Sequence, residues 1–455
     1  MSYELLNHQK DFRKFDNTRN YVANFSETGT GKTLMAIDTI KQKGFYKVLI
    51  ICPLNAMEGT WEYEVEQHLT PLYKPIVIYD KDMDKRKEQL KQINAEDNPD
   101  IGGYIVIVNY DVLDKLNEEI MSIGYDAIFA DESHYIARLS KRTKAAIKLA
   151  DKANKYKCIM TGTPAATDLE QYWTQIRFLS EEVAGPSFHR WRQKHFHTGG
   201  FENRQWFPNV GTEELIMRVL KKFTFTALRD KCLDLPPRTI TTIDVQMTKD
   251  QRYLYDSIEK DLMAIIDNEP ITCPSAAAAI MKMRQVCAGF IYDESGEPTR
   301  WMSDAKLKIL EEQLAMIPNK QCVIWYQFKE EARIISNMLG VQPYSMVPQN
   351  IRNDLIQLFK AGEIKYLLVH PASMGISVTL VNACDEFWFS LPYNTTHYLQ
   401  ARERIYRYGQ KNSVHSRILS CPNSIDRLIQ RSVQSKVKVQ DAALKYFNQG
   451  GGAFK

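Results

Sequence analysis

A short stretch near the N-terminus has the residue types that hold phosphate groups. Residues 26–33 read Ser-Glu-Thr-Gly-Thr-Gly-Lys-Thr, and an apolar helical pattern follows at residues 34–40. Glycines let backbone N–H groups close around a phosphate, the lysine reaches the outer phosphates, and the following hydroxyl can bind Mg²⁺. Ser26 stands where such loops usually have their first glycine, and a small side chain is tolerated there. The stretch therefore predicts a nucleoside triphosphate site. Its predicted contacts are Thr28, Gly29, Thr30, Gly31, Lys32 and Thr33.

Two adjacent carboxylates could complete this site. Asp131 and Glu132 come directly after the apolar run of residues 125–130. In a parallel sheet, residues that follow the strands meet at one edge, where phosphate loops also lie. We expect Asp131, together with Thr33, to hold Mg²⁺ through ATP and water. Glu132 is expected to orient or deprotonate the attacking water. Lys32 and Glu132 are thus predicted catalytic residues.

Short apolar runs separated by helical patterns occur in both halves of the chain. The runs are residues 48–52, 104–108, 125–130 and 158–160, then 321–325, 366–369 and 386–389. Unbroken apolar strands between helices are typical of parallel sheets covered on both faces. The predicted fold class is α/β, with two parallel-sheet lobes. We place these lobes at residues 1–235 and 236–455, with a mostly helical insertion at about 165–230.

Composition narrows the class of protein. The 455 residues carry a formal net charge of +4, and no apolar run is long enough to cross a membrane. No secretory signal precedes the first strand, so a cytoplasmic location is expected. The eight cysteines include no Cys-x-x-Cys pair, which argues for buried free thiols and against a zinc ribbon. Residues 138–157 hold eight Lys/Arg and one acid. They could attract nucleic acid, or they could form a solvated helix face.

Two further motifs connect the chain to a known family. Thr161-Gly-Thr-Pro164, after Asp131-Glu-Ser-His134, resembles motif III after motif II of superfamily 2 helicases. Residues 400–410, Gln-Ala-Arg-Glu-Arg-Ile-Tyr-Arg-Tyr-Gly-Gln, resemble motif VI of the SWI/SNF-type ATPases, Q-A-x-x-R-x-x-R-x-G-Q. This long match is the most specific signal in the chain. Further segments resemble other motifs of the family and occur in the same order, so the resemblance covers nearly the whole chain. These segments are residues 8–9, 52–55, 228–236, 251–255, 283–287, 305–307 and 375–379.

The resemblance implies two RecA-like lobes that use ATP and Mg²⁺. It implies that Gln9 and Gln400 contact the nucleotide. It also implies that Arg404 and Arg407 stabilise charge on the transferred phosphate. Their spacing of three residues predicts that both arginines lie on one face of a helix. By the same resemblance, six residues are candidate contacts to nucleic acid. These are Pro53, Asn55, Tyr110, Thr161, Ser373 and Asn394.

The sequence departs from the family at two places in the second lobe. The usual glycine and hydroxyl are absent before Arg352, and Ser373-Met-Gly375 stands where a double glycine is common. No segment of this sequence resembles the chromatin-binding modules that are attached to other members of the family. The resemblance therefore implies a compact motor of phage or prokaryotic type, working as a monomer in a bacterial or phage-infected cytoplasm.

Three functions remain open on the sequence. The first is an ATP-driven translocase on double-stranded or branched DNA, acting with replication or recombination proteins in branch migration, annealing or protein displacement. The second is a strand-separating helicase on DNA or RNA, although no strand-separating hairpin can be recognised in the sequence. The third is a nucleotide-dependent binding switch. The motif VI pattern favours the first function, and the complete set of Lys32, Glu132, Arg404 and Arg407 argues against an inactive switch.

Overall fold

The computed structural model describes residues 3–95, 101–162, 164, 168–199, 205–268, 273–292, 298–301, 303–374 and 378–435. The chain forms two compact units, the first ending at Asp234 and the second starting at Leu235. The predicted motif V segment lies partly outside the described residues, at 375–377, as does Thr163 of the predicted motif III. Within the described ranges, no helix is both long and apolar enough to cross a membrane.

The first unit is built on a parallel sheet. Its strands are β1 (Tyr21–Asn24), β2 (Lys47–Cys52), β3 (Tyr73–Val77), β4 (Gly103–Asn109), β5 (Ala127–Asp131), β6 (Tyr156–Met160) and β9 (Thr224–Phe225). Their order is β3-β4-β2-β5-β6-β1-β9, and every neighbouring pair is parallel. Two strands outside this sheet, β7 (Phe196–Gly199) and β8 (Gln205–Pro208), form an antiparallel hairpin.

Helices connect these strands and cover the sheet. They are α1 (Asn7–Asp16), α2 (Lys32–Lys43), α3 (Tyr63–His68), α4 (Met83–Ala95), α5 (Asn117–Ser122), α6 (Lys141–Lys152), α7 (Gln171–Leu179), α8 (Glu181–Ala184), α9 (Phe188–His195), α10 (Thr212–Leu220) and α11 (Arg229–Cys232). Single 3-10 turns lie at Leu54–Ala56, Tyr110–Val112 and Ser133–Ile136, and a π turn lies at Met57–Glu62.

Alternation along the central strands places apolar side chains in two cores. In β2, Leu49 and Ile51 belong to the core on one side of the sheet, whereas Val48, Ile50 and Cys52 belong to the core on the other side. All five side chains are fully buried. Successive strand residues point to opposite faces, so a strand that is covered on both sides must be apolar throughout.

The second unit repeats this plan with a smaller sheet. Its strands are β10 (Arg238–Asp244), β13 (Cys322–Trp325), β14 (Tyr366–Val369), β15 (Asp385–Trp388) and β16 (Val414–Ser420), all parallel, in the order β10-β16-β15-β13-β14. A short antiparallel hairpin joins β11 (Phe290–Tyr292) and β12 (Pro298–Trp301). The helices are α12 (Lys249–Asn268), α13 (Cys273–Ala288), α14 (Ala305–Ala315), α15 (Lys329–Leu339), α16 (Gln349–Ala361), α17 (Thr395–Ile405) and α18 (Ile425–Ser435), with a 3-10 turn at Tyr344–Met346.

The predicted fold class, α/β with two parallel-sheet lobes, is confirmed. The seven predicted strands all occur, with ends that differ by at most two residues. The region at about 165–230 is helical over much of its described length, but it also contains the hairpin β7–β8 and the edge strand β9. Sequence periodicity did not reveal this hairpin, because its strands are four residues long and largely exposed.

Candidate functional site

The candidate site lies at the carboxyl edge of the first sheet. Three adjacent strands end there in register, since Asp131 pairs with Met160 and Met160 pairs with Asn24. The phosphate loop follows β1, the two carboxylates end β5, and Thr161 follows β6. Strand order therefore brings together three segments that are far apart in sequence. Ligand sites in open parallel sheets occur at this edge.

The phosphate loop has the backbone geometry that its glycines suggest. Gly29 and Gly31 have φ angles of 85° and 79°, in the left-handed region that favours glycine. A Cβ at Gly31 would come within 2.3 Å of the Gln9 amide nitrogen, so a larger residue would displace the Gln9 side chain and would also be strained by the positive φ. Lys32 begins α2, is buried, and donates from Nζ to the Ser26 carbonyl at 3.0 Å. The Lys32 side chain thus lies along the phosphate loop, where its ammonium group would contact a bound phosphate.

Neighbouring segments hold the loop in place. The Thr30 carbonyl accepts a hydrogen bond from Gln9 Nε2 at 3.2 Å and lies 2.8 Å from His8 Nε2. Ser26 Oγ accepts a hydrogen bond from the Ala227 backbone N–H at 3.1 Å. The serine that replaces the usual glycine thus connects the loop to the backbone at Ala227. Thr28 packs against the turn after β6, because a Cβ at Gly162 would lie 2.8 Å from the Thr28 hydroxyl. Thr33 is half-buried in the first turn of α2.

Three groups hold Asp131 in a buried position. Its Oδ2 accepts from the Trp61 indole N–H and its Oδ1 from the Glu132 backbone N–H, both at 3.0 Å. Its carbonyl accepts from the Tyr110 hydroxyl at 2.6 Å. Burial, and then the neighbouring charge of Glu132, raise the pKa of Asp131 to about 6, although Trp61 and Lys32 act against this shift. Trp61 and Lys32 therefore offset only part of the effect of burial and of the neighbouring negative charge.

Glu132 has its own partners. Its φ of 51° places it in the left-handed region, which is uncommon for a residue with a side chain. Its Oε2 accepts from Thr161 Oγ1 at 3.2 Å and lies 3.2 Å from His134 Nδ1. Burial acts to raise the pKa of Glu132, but His134, Lys32 and Thr161 outweigh it, so the pKa lies below its usual value. Glu132 is therefore held ionised, and hydrogen bonds fix one of its two oxygens.

The residues at this edge fit a divalent cation. Two adjacent buried carboxylates concentrate negative charge, and Asp131 has the raised pKa of a group that a cation would relieve. The available ligands are carboxylate and hydroxyl oxygens, which Mg²⁺ prefers. Asp131 and Thr33 are the residues that would hold the ion. When bound, it would neutralise charge on the phosphates.

The predicted nucleic-acid contacts of the first unit divide into exposed and buried residues. Pro53 and Asn55 follow β2, where Asn55 is exposed and Pro53 is buried at the start of the 3-10 turn. Tyr110 is 2% exposed and its hydroxyl is already bonded to Asp131. Thr161 is fully buried and faces Glu132. The described geometry gives Tyr110 and Thr161 supporting positions beneath the site, and it exposes only Asn55 among these four.

In the second unit, two predicted contacts follow the strands β14 and β15. Ser373 is half-buried and donates from its hydroxyl to the His370 carbonyl at 2.7 Å. Asn394 is exposed, and its side-chain oxygen accepts from the Thr396 N–H at 2.8 Å, which caps the N-terminus of α17. Both residues lie at the carboxyl edge of their sheet. Gln400, a predicted nucleotide contact, is half-buried within α17.

The two predicted finger arginines do not share a helical face, so that expectation was wrong. The helix α17 ends at Ile405, which leaves Arg404 in its buried last turn and Arg407 in the turn beyond. Gln410 explains the early end. Its amide donates to the carbonyls of Ile405 at 3.1 Å and Ala383 at 2.9 Å, so a side chain satisfies a carbonyl that a further helical turn would have used.

Sequence reasoning missed the roles of Trp61 and Gln410. Sequence reasoning assigned no role to Trp61, although it is fully buried and donates a hydrogen bond to the predicted metal ligand. Gln410 was noticed only as the last residue of the motif VI pattern. A buried polar residue usually has a hydrogen-bonding task, but its partner can be identified only from the fold.

The basic segment 138–157 resolves into paired and unpaired residues. Arg138, Arg142 and Lys155 form ion pairs with Asp168, Asp111 and Asp126, respectively. Four exposed lysines remain, spaced at three or four residues along one face of α6. We call these residues the lysine stripe: Lys141, Lys144, Lys148 and Lys152. Among the residues that the structure describes, none of the four has an ion-pair partner within 4 Å.

Comparison with known proteins identifies the family. The SNF2-related domain matches residues 25–289, more than half of the chain, and the Helicase conserved C-terminal domain matches residues 305–409. A protein called p41 from Acyrthosiphon pisum secondary endosymbiont phage 1 is 24% identical, over 97% of this chain and 96% of its own length. A Caenorhabditis elegans homologue of SWI/SNF-related matrix-associated actin-dependent regulator of chromatin subfamily A-like protein 1 is 22% identical over 91% of this chain. The Saccharomyces cerevisiae transcription regulatory protein SNF2 is 21% identical over 92% of it.

The chain spans only 58% of the nematode protein and 26% of the yeast protein. Among solved structures, the Sulfolobus solfataricus SWI2/SNF2 ATPase core in complex with dsDNA is 21% identical, with a TM-score of 0.44, and the match covers 99% of this chain and 94% of that one. On the match to the SNF2-related and helicase C-terminal domains, the chain belongs to the SNF2-related family and is an ATP-hydrolysing enzyme of helicase superfamily 2.

Proposed function

We propose that this enzyme is a translocase that uses Mg²⁺ and ATP to move along double-stranded DNA. The observation that carries the proposal is the meeting of the phosphate loop, Asp131 and Glu132 at one sheet edge, in a chain with the SWI/SNF-type pattern at residues 400–410. A nucleotide held at this edge has Lys32 for its phosphates and Glu132 for the attacking water. These are the parts that phosphoryl-transfer enzymes need.

We propose the following roles for individual residues. Backbone N–H groups of Thr28 to Lys32 would cradle the phosphates, and Gln9, Gln400 and Thr33 complete the proposed nucleotide contacts. Glu132 has a lowered pKa, so it is a weak base and acts mainly by orienting water. Thr161 and His134 hold its carboxylate in that orientation. We propose that Arg404 and Arg407 supply the positive charge that stabilises the transition state.

Duplex DNA is the proposed track. A motor that follows a backbone needs phosphate contacts that are insensitive to base sequence. The proposed contacts are the exposed Asn55 and Asn394 and the half-buried Ser373. The lysine stripe on α6 adds four exposed positive charges to the first unit. Relatives whose names place them in chromatin regulation support a role on duplex DNA. The phage relative, which is similar over 96% of its length, supports a compact motor. We place the work of the protein in replication, recombination or repair, on branched or duplex DNA, as a monomer.

The direct test is the ATPase rate with different nucleic acids. Duplex DNA should stimulate hydrolysis at least as strongly as single strands, forked DNA or RNA. The protein should displace a triplex-forming third strand, or migrate a four-way junction, and should not unwind a simple tailed duplex. Stimulation by RNA alone would reject the proposal.

The arginines have a separate test. Replacing Arg404 or Arg407 by Ala should reduce DNA-stimulated hydrolysis at least ~10-fold, because arginine fingers contribute roughly 10³–10⁵ in rate in related chemistry. DNA binding should remain. A variant that binds DNA poorly while its unstimulated ATPase stays normal would show that the arginine contacts the DNA backbone instead.

A second candidate function, strand separation, has one observation in its favour. The hairpin β7–β8 carries Phe207, an aromatic side chain that is 41% exposed, and Trp206, over which the Arg192 guanidinium lies at 4.4 Å. An exposed aromatic residue on a hairpin could stack on a base as strands part. Efficient unwinding of a tailed duplex, lost in Phe207→Ser, would establish this function over translocation alone.

A further inference from the structure

The segment between β2 and α3 has one exposed face and one face that reaches the catalytic carboxylates. It consists of the 3-10 turn Leu54–Ala56 followed directly by the π turn Met57–Glu62. Leu54 and Asn55 are exposed, whereas Ala56, Met57 and Trp61 are at most 1% exposed. π turns inside helices are rare and frequently lie at functional sites.

Trp61 connects this segment to Asp131. Its ring packs in the core that also contains Phe129, two residues before Asp131 on the same strand. Its indole N–H donates to Asp131 Oδ2 at 3.0 Å. In the described part of the chain, Trp61 is the one side chain that donates a hydrogen bond to that carboxylate. The remaining oxygen, Oδ1, accepts from the adjacent backbone N–H of Glu132, its one donor among the residues that the structure describes.

A second segment at the same edge makes a parallel connection. Tyr110 begins the 3-10 turn after β4 and donates its hydroxyl to the Asp131 carbonyl at 2.6 Å. Tyr110 and Trp61 thus approach Asp131 from the two neighbouring loops, one to the backbone and the other to the carboxylate. These are the loops on which the family resemblance predicts contacts to nucleic acid.

We propose that Trp61 is a positioning residue that links contact of nucleic acid with residues 53–58 to the affinity of Asp131 for Mg²⁺. This inference rests on the proposed function, since it requires a cation at Asp131 and nucleic acid at the exposed face. A shift of the short π turn moves the rigid indole, and the indole N–H fixes the direction of Oδ2. Partners that orient metal ligands in this way typically contribute 10–100-fold to metal affinity or activity.

The test measures Mg²⁺ binding without turnover. The affinity of the full chain for a fluorescent ADP analogue is determined against Mg²⁺ concentration, with and without a short duplex of mixed sequence. Trp61→Phe keeps the ring and removes the N–H donor. The matched control is Trp173→Phe, since Trp173 is also buried in this unit but donates at 3.0 Å to the Ala184 carbonyl. Tyr110→Phe is the second variant, which keeps a near-identical shape.

We expect Trp61→Phe to raise the half-saturating Mg²⁺ concentration roughly 10-fold or more, and Tyr110→Phe to raise it less. Nucleotide affinity without Mg²⁺ should not change, and Trp173→Phe should behave as wild type. Duplex DNA should shift the Mg²⁺ half-saturation of the wild type but not of Trp61→Phe.

Each other outcome contradicts a particular part of the inference. Equal Mg²⁺ effects of Trp61→Phe and Trp173→Phe would show that Trp61 only supports the fold. An equal response to duplex in wild type and Trp61→Phe would overturn the link while leaving the proposed function intact. A wild type whose nucleotide binding ignores both Mg²⁺ and duplex would overturn the proposed function and the inference together.

Discussion

Replacing Glu132 by Gln tests the chemical step most directly. The change converts one carboxylate oxygen to an amide nitrogen and leaves the shape of the side chain unchanged. The amide oxygen can still accept from the Thr161 hydroxyl, which lies 3.2 Å from Oε2 in the native protein. We therefore expect the fold, the phosphate loop and ATP affinity to be preserved, and only the handling of the attacking water to be lost.

The size of the loss follows from the environment of the carboxylate. The pKa of Glu132 is lowered because His134, Lys32 and Thr161 outweigh the effect of burial, so Glu132 accepts a proton poorly but stays ionised across the neutral range. General-base residues contribute about 10²–10⁴ in rate, and a weak base belongs near the lower end of that range. We expect kcat to fall about 10²–10³-fold, which corresponds to about 3–4 kcal/mol of activation free energy.

The assay is steady-state ATP hydrolysis with saturating duplex, alongside equilibrium binding of a fluorescent nucleotide. Asp16→Asn is the matched control, since it makes the same chemical change in a buried carboxylate that takes no part in the proposed site. A Glu132→Gln enzyme that binds nucleotide and turns over at the wild-type rate would refute the assignment of the water-orienting role.

Three further predictions concern the metal ligand, the turn after α17 and the lysine stripe. Because burial and the charge of Glu132 raise the pKa of Asp131 to about 6, ATPase activity should fall as the pH drops through that value. A higher Mg²⁺ concentration should move this fall to lower pH, since the ion competes with the proton for Asp131. A fall in activity that does not depend on Mg²⁺ would exclude Asp131 as a ligand of the ion. Gln410→Ala should destabilise the second unit by about 2–4 kcal/mol, because the buried carbonyls of Ile405 and Ala383 lose a donor, and chemical denaturation against the control Gln313→Ala measures this. Changing all four residues of the lysine stripe to Ala should reduce the slope of the logarithm of duplex affinity against the logarithm of salt concentration by up to about 3.6. Arg at the same four positions should preserve the slope. An unchanged slope in the Ala variant would show that the stripe is a solvated helix face that does not contact DNA.

The strands and the phosphate loop could be predicted from the sequence because the causes of both are local. A strand covered on two faces must be apolar at every position, and such runs stand out at residues 48–52 and 104–108. The loop at residues 26–33 depends on glycines that allow left-handed backbone, on a lysine and on a hydroxyl, all within eight residues. The position of Asp131 at the same sheet edge as the phosphate loop also followed from a general rule, since the strands of a parallel sheet end at a common edge.

Only the tertiary structure decided which side chains hold the catalytic groups. Trp61 and Asp131 are 70 residues apart, and their hydrogen bond exists because β2 and β5 are neighbours in the sheet. The helix α17 ends early because Gln410 donates to the carbonyl of Ala383, 27 residues away. Arg407 therefore lies outside the helix, although its spacing of three residues from Arg404 had predicted that both lie on one helical face. Tyr110 resembled a surface contact in sequence but is buried under Asp131. In each case a buried polar atom had to find a partner, and chain topology determined which residue was within reach.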